Sequence, residues 1–401
     1  MTETRIAVGD RTALWLIGVA TTFGMLVGAL LLGDARPAAA ATYEVECPST
    51  SPDHTDYLAA EFGKAKRGDE VVVKGTCVTR KTLWLKDGVT YRGDGRDGAV
   101  LKQADGAKLA ALVATDSWAL TGEAGKSGTN ANVTVRSLTI DANAAGNAGA
   151  ATIGLVVRAW DSRVYDVAVY RAGGDGIRVT TVTSDGTVLA NGSGVDEPHT
   201  MVNSIIADSY VEESGRDGIS VEDPGNGATD WIVERNWIAG SARHGIGSDN
   251  AAGWQIRNNH VYGVGENAID LRRCYNTGVH DNYIEDFGGN GGAERFGIRC
   301  DLQGDVPSTI AGNKINQFRG GGHPMKAGTY FAIGLDGVNY GKGYATVTGN
   351  AIVGTAGTVG TETGLAYRGG ADLTVVSTGN LVTGCDTALS KDTGVVVTSG
   401  I

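Results

Sequence analysis

Collagen is excluded first. Proline is scarce, at 7 in 401 residues, and the 62 glycines follow no Gly-X-Y period. Positive charge is short as well: 34 Lys and Arg stand against 45 Asp and Glu, a formal net charge of -11. A basic nucleic-acid face is therefore absent, and nucleic acid is not an expected partner. An acidic surface favours solubility, and carboxylate pairs suit a hard cation such as calcium. The 5 cysteines show no CxxC spacing, which argues against zinc, and their odd number leaves at least one thiol unpaired within the chain. Aromatic residues make up only 6%, and helix-type periodicity is rare.

What remains is rich in Gly, Val, Ile, Thr and Asn, the composition of many short strands joined by tight turns. From about residue 205 one pattern recurs: an apolar residue, two spacers, Asn, any residue, then Ile or Val. It reads "IVERNWI" (Asn236), "IRNNHV" (Asn259), "VHDNYI" (Asn282), "IAGNKI" (Asn313) and "VTGNAI" (Asn350), with a looser copy at Asn380. A second pattern alternates with it: "GRDGISV" (Ile219), "ARHGIGS" (Ile246), "GENAIDL" (Ile269), "ERFGIRC" (Ile298), "TYFAIGL" (Ile333) and "ETGLAYR" (Leu365), with an earlier copy at Ile177. Two short strands per repeat, with glycine turns and a fixed asparagine, describe one coil of a parallel β-solenoid. A single coil cannot bury its own apolar face and must stack on the next. Asparagines one rung apart can bond to each other and to the turn backbone, so Asn236, Asn259 and Asn282 are read as structural.

The ends of such a stack need covering. "DYLAAEFGKAK" has Tyr57, Leu58, Phe62 and Ala65 at helical spacing, with Asp56 as N-cap, and suits a short helix plugging the N-terminal end. Before it, Arg5 and Arg11 precede an apolar run from Leu14 to Gly33, and small residues follow at Ala38 to Ala41. That is the pattern of a secretory signal peptide spanning 1–41, or of a retained membrane anchor, and it predicts a chain outside the cell membrane. Secretion permits a disulfide between Cys47 and Cys77. Cys274, Cys300 and Cys385 are read as small apolar core residues.

The stretch Lys66–Gly95, "KRGDEVVVKGTCVTRKTLWLKDGVTYRGDG", resembles the entry coil of the right-handed β-helix proteins of the pectate-lyase-like superfamily, and the later repeats are similar to their coils. The resemblance covers 42–401 and implies an all-β, single-stranded right-handed parallel β-helix with a short N-terminal capping helix. That superfamily includes polysaccharide lyases, glycoside hydrolases, epimerases, fructotransferases and phage tailspikes, so the likeness is specific for fold and weak for chemistry.

Strand alternation selects the outward side chains. With Ile269 inward, Asp270 and Arg272 face out. The same register gives an outer ladder of Glu222, Asp249, Arg272, Asp301 and Asp336, with Asp270 and Arg299 in the adjoining column and His244 bordering both. The candidate catalytic residues are His244, Asp249, Asp270, Arg272, Arg299 and Asp301. Trp237 and Tyr283, outward with His260 on consecutive rungs, are candidates for stacking on sugar rings, and Asp336 and Lys326 for contacting substrate. The long inserts "FGGNGGAER" and "FRGGGHPMKAGTY" suit groove walls.

Three chemistries fit. A lyase acting on a uronic-acid polymer needs its substrate carboxylate neutralised and a base near the C5 proton. In the families this chain resembles, calcium held by acidic clusters beside Arg or Lys supplies the neutralising charge. Glu222, Asp249 and Asp301 form the corresponding calcium set, with Arg272 or Arg299 steering the carboxylate. His244 is the easier base, with Lys326 and Tyr330 as others. A hydrolase would pair carboxylates: Asp249 with Asp301 at about 9.6 Å, or Asp301 with Asp336 at about 5 Å, by rung spacing. The Asn-Thr-Asp and paired-Asp motifs of the pectin-hydrolysing β-helix family are absent, and "RHGIGS" only partly resembles its Gly-His-Gly segment. An epimerase would use groups much like a lyase's, and "DEPHT" (196–200) is superficially similar to an alginate-epimerase motif. A purely structural ion-pair ladder, or a non-catalytic carbohydrate-binding solenoid, is the remaining reading. The expected protein is a secreted monomer, most simply a polysaccharide lyase, whose partner is an extracellular polysaccharide.

Overall fold

Each coil is built by a short β-branched strand, a kinked turn and a second short strand. The residue before each ladder asparagine adopts a left-handed conformation: Arg235, Asn258 and Asp281 do so with φ of 53–58°, and Gly312, Gly349 and Gly379 with φ of 65–67°. That turn bends the chain around the core, and the next residue, Asn, fills the inside of the bend. The computed structural model describes residues 40–190, 200–317, 326–338, 340–355 and 360–399. The N-terminal segment with its apolar run, His199 in "DEPHT" and His323 in the second long insert lie outside the described residues. The chain divides at Ala40/Ala41 into two units, and the β-strands belong to the unit from Ala41 onward.

The strands of that unit are parallel and stack rung on rung in a right-handed β-helix. One 11-stranded sheet holds every "Gly-Ile" strand, including Ile177–Thr180, Ile219–Glu222, Ile246–Ser248, Ile269–Cys274, Gly292–Leu302 and Gly328–Val338. A 21-stranded sheet carries the strands that flank the asparagine turn. Between them runs one aliphatic core from Val45 to Val395.

The asparagine ladder forms as expected. Asn236, Asn259, Asn282, Asn313 and Asn350 each donate Nδ2–H to the Oδ1 of the next, at 2.9–3.0 Å, ending on Asn380. The same Nδ2 also donates to a main-chain carbonyl one coil back, such as Ile256 O for Asn282.

The cap is the helix Thr55–Lys64, with Leu58 and Phe62 buried against the first coils. Two details differ from expectation. Asp56 is not the cap: Asp53 accepts the Thr55 N–H at 2.8 Å, while Asp56 faces solvent and pairs with Lys81. Tyr57 lies on the exposed side, because only the Leu58/Phe62 stripe faces the coil.

Cys47 and Cys77 form the expected disulfide, closing a separation of 30 residues. Replacing both with serine is expected to cost about 3–4 kcal/mol on the loop-entropy scale, read as a lower midpoint in calorimetry. Cys274 and Cys300 correct the sequence reading: they are bonded to each other, with Cα atoms 5.6 Å apart. They stand on adjacent rungs, Cys300 in register with Leu271 and Cys274 with Leu302, on either side of a bulge between the two strands. Cys385 remains free.

Candidate active site

On four consecutive rungs, two residues before the inward Ile, stands a side chain that accepts a hydrogen bond from the main chain of the next rung. Asp175 Oδ1 takes the Asp217 N–H (3.2 Å), Asp217 Oδ1 takes the His244 N–H (3.1 Å), His244 Nδ1 takes the Asn267 N–H (3.2 Å), and Asn267 Oδ1 takes the Phe296 N–H (2.9 Å). All four acceptors are buried. The consequence for His244 is chemical. With Nδ1 accepting, the proton of the neutral ring sits on Nε2. Burial lowers the pKa of this imidazole, against the pull of Asp270 and Asp217, and favours that neutral form.

His244 Nε2 lies 3.4 Å from Asp270 Oδ2 and 3.8 Å from Glu266 Oε2. Asp270 faces outward as expected but is buried, receiving Asn267 Nδ2 at 2.7 Å and Arg272 Nε at 2.8 Å. Around these groups opens a cleft of about 250 Å³ on the 11-stranded sheet. Its floor is low at Gly247, where a Cβ would come within 2.7 Å of the Asp217 carboxylate.

Four arginines line the cleft, each tied to a carboxylate. Arg178 bonds Asp175 at 2.6–2.7 Å, and Arg216 approaches the same carboxylate at 3.6 Å. Arg243 grips Asp217 through both Nε (2.6 Å) and Nη2, and Arg272 holds Asp270. Burial pushes the Asp175 carboxyl up, but Arg178 and Arg216 outweigh it and keep it ionised. Asp249 behaves oppositely. It stands at the rim, its burial against protein raises its pKa, and neighbouring Glu222 adds to the rise. Asp249 is thus a carboxyl held above its ordinary pKa, unlike Asp175.

Of the predicted site, His244, Asp249, Asp270, Arg272 and Glu222 come together in the cleft. Arg299, Asp301 and Asp336 do not line it. Arg299 stays in register with Asp270, but beyond it a bulge intervenes: pairing runs Leu271↔Cys300 and resumes at Cys274↔Leu302, three steps on one strand against two on the other. The extra residue takes Arg272 out of line with Asp301. Asp301 is instead held by Arg299 at 2.9 Å, Arg299 by Asp336 at 2.9 Å, Asp336 by Arg368 at 3.0 Å, and Arg368 by Glu294 at 2.6 Å. Both guanidiniums lie over the stacked rings of Phe296 and Phe331. This alternating chain holds two guanidiniums among three carboxylates.

Each member of the expected calcium set is engaged by protein groups. Asp301 is occupied by Arg299, while Glu222 accepts Thr180 and Arg178, and Asp249 accepts the Asp223 N–H. Among the described residues no three His, Cys, Asp or Glu side chains converge where a metal ion would sit. Trp237 and Tyr283 are outward as expected, but on the 21-stranded sheet, so they do not line the cleft. Trp237 meets His260 edge-on at 4.2 Å, and Tyr283 stacks on the other side at 4.7 Å. Lys326 is exposed before the strand Gly328–Val338, also outside the cleft lining, and Tyr330 is buried with its hydroxyl on the Lys326 carbonyl.

Sequence reading missed Asp175, Arg178, Arg216 and Arg243. The signal was present: "GGDGIRV" puts Asp175 and Arg178 in the columns of Asp217 and Ser220.

With this geometry in view, comparison with known proteins gives a family. Residues 61–270, just over half the chain, match the pattern of the family described as rhamnogalacturonase A/epimerase, pectate lyase-like. The chain belongs to that family. Among curated proteins none matches the sequence significantly. Among solved structures it is similar to the A-module of the Azotobacter vinelandii mannuronan C-5 epimerase AlgE6, at 16% identity and TM-score 0.54, over 88% of this chain and 98% of that one. The AlgE4 A-module gives 17% identity and TM-score 0.53, over 87% and 96%. At these identities the likeness is one of fold, and the family members' cleft chemistry has to be argued from side chains.

Proposed function

We propose that this pectate lyase-like protein cleaves an anionic, uronic-acid-containing polysaccharide by β-elimination in the cleft around Asp270. The observation that carries the reading is the grouping of half-exposed guanidiniums with one carboxyl of raised pKa and one buried carboxylate paired with arginine. Arg272 engages the carboxylate of the reacting sugar and makes its C5 proton more acidic. Asp270, oriented by Asn267 and by the Nε2–H of His244, takes that proton. The C4–O4 bond breaks as the C4–C5 double bond forms, and Asp249 donates its proton to the departing oxygen. His244 therefore serves as a donor that positions Asp270. Its Nδ1 is committed to the Asn267 N–H, so it is not the base expected from sequence.

The pH consequence stems from Asp249. Its protonated form is the acid, and its pKa is raised, so kcat is expected to fall as pH rises through that raised pKa. In Asp249→Asn this alkaline limb should disappear along with most of the rate. A pH–rate profile of both proteins checks it, and an unchanged limb in the variant would remove Asp249 from the mechanism.

Hydrolysis is the second reading, favoured by the presence of two carboxyls in one cleft, Asp249 as acid and Asp270 as base. A panel of polyuronates and neutral glycans separates the two. Elimination releases unsaturated, ultraviolet-absorbing ends together with new reducing ends, whereas hydrolysis releases reducing ends alone. Release of neither, across the panel, would leave a binding solenoid. An extracellular site of action is part of the proposal. It is supported by the N-terminal apolar segment and by two disulfides in one domain.

A further inference from the structure

Two bars of paired polar groups bound the cleft along the β-helix axis. At one end Arg178 reaches from Asp175, at 2.6–2.7 Å, to Glu222 on the next rung, at 3.4 Å. At the other end Asn267, Asp270 and Arg272 join at 2.7 and 2.8 Å along the Ile269 rung. Between the bars, the column that holds Arg178 and Asp270 carries only Ser220 and Gly247. The floor therefore drops for two rungs within a span of three rung steps, about 14 Å. A sugar chain lying along the axis would have to rise over both bars, whereas one lying across the rungs meets neither. The two sides it would cross are unlike. Three residues after the inward Ile stand Glu222 and Asp249, and three residues before it stand Arg216 and Arg243. These arginines occupy adjacent rungs, with side chains 47% and 40% exposed. Arg216 approaches Asp175 only to 3.6 Å and its guanidinium makes no hydrogen bond among the described residues. Arg243 spends Nε and Nη2 on Asp217 and keeps its Nη1 donors. Neither takes part in the proposed elimination.

We infer that Arg216 and Arg243 form a second acid-binding subsite, which takes the carboxylate of the sugar joined through C1 of the reacting unit. This rests on the proposed elimination in the same cleft. There the reacting carboxylate meets Arg272 and the departing O4 meets Asp249, on the acidic side. C1 and C4 lie at opposite ends of a pyranose ring, so the C1 side faces the arginines. Two guanidiniums one rung apart can both donate to one carboxylate. The cleft thus reads two successive uronates, and an isolated uronate in a neutral polymer satisfies only half of it.

Titration calorimetry with two disaccharides tests the subsite: a 1,4-linked diuronate, and the same molecule with the carboxyl of its reducing-end sugar reduced to the alcohol. With the other sugar's acid group on Arg272, no sugar stands on the O4 of that ring, so binding is read without turnover. The protein should bind the diuronate about tenfold more tightly, the order expected for a hydrogen bond to a charged group. Arg216→Gln and Arg243→Gln should each shrink that ratio, whereas Arg272→Gln should weaken both ligands and leave the ratio in place. Arg243→Gln also strips the buried Asp217 of its partner. If that variant melts early, Arg216→Gln, whose ion pair is the looser, decides the matter. Equal affinity for the two disaccharides, or a ratio unmoved by Arg216→Gln, overturns the subsite. Cleavage of polyuronates together with equal affinity would overturn the subsite alone. Binding of neither disaccharide, with no polyuronate bound or cleaved, would overturn the anionic-substrate reading and the subsite with it.

Discussion

Asp270→Asn is expected to lower kcat by about 10²–10⁴-fold, the usual range for removing a general acid or base, with a smaller change in KM. Asp270 is where the cleft's interactions meet: Asn267, Arg272 and His244 all point at its two oxygens. The asparagine side chain has nearly the same volume, so a loss of rate with an unchanged melting curve reports chemistry and not packing. Asp301→Asn is the matched contrast. Asp301 lies one rung away but is bound to Arg299 outside the cleft, so its substitution should leave kcat within a few-fold and act on stability instead. Initial rates and melting curves of both variants decide the matter. An active Asp270→Asn protein would mean that the reaction centre lies elsewhere.

Asn282→Ala should give the largest loss of stability. Its Oδ1 accepts from both the N–H and the Nδ2 of Asn259, and its Nδ2 donates to Ile256 O and Asn313 Oδ1. Truncation removes all four bonds and leaves the buried Asn259 N–H without its acceptor, while Asn259 Nδ2 keeps Val233 O and Asn313 Oδ1 keeps the main-chain N–H of residue 282; each lost bond or unpaired group costs about 1–3 kcal/mol where no water enters. A total of about 3–6 kcal/mol is expected, with the sum limited by relaxation of the coil. Tyr283→Ala, next in sequence but on the outer surface, should cost much less. Chemical denaturation of the two variants measures the difference, and equal losses would mean that the ladder contributes little beyond its neighbours' packing.

The coil repeat was legible because every coil solves the same problem with the same residues. The turn asparagine, the inward Ile and the glycine before it recur at one-coil intervals, and alternation then assigns Ile269 inward and Asp270 outward without reference to any other coil. The cleft was legible in part for the same reason. His244, Asp249, Asp270 and Arg272 were found because they sit at repeat positions. Asp175 and Arg178 occupy the same columns one rung before the stretch chosen, and only the three-dimensional stack shows that the cleft extends to them. The bulge between Leu271 and Cys274 was invisible, since nothing in "IDLRRC" or "GIRCDL" marks where one strand takes an extra residue.

The sequence by itself determined the fold, the asparagine ladder, the capping helix and the Cys47–Cys77 bond, because each depends on local pattern or on a repeat that pins the register. The tertiary structure alone decided which charges face the cleft and which neutralise one another. A one-residue change of register separated Asp301 from Arg272, and the choice of sheet carried Trp237 and Tyr283 away from the cleft. A main-chain N–H from the next rung set the tautomer of His244. These depend on contacts between coils, and a hydrogen bond or ion pair formed across rungs leaves no trace in the order of residues along one of them.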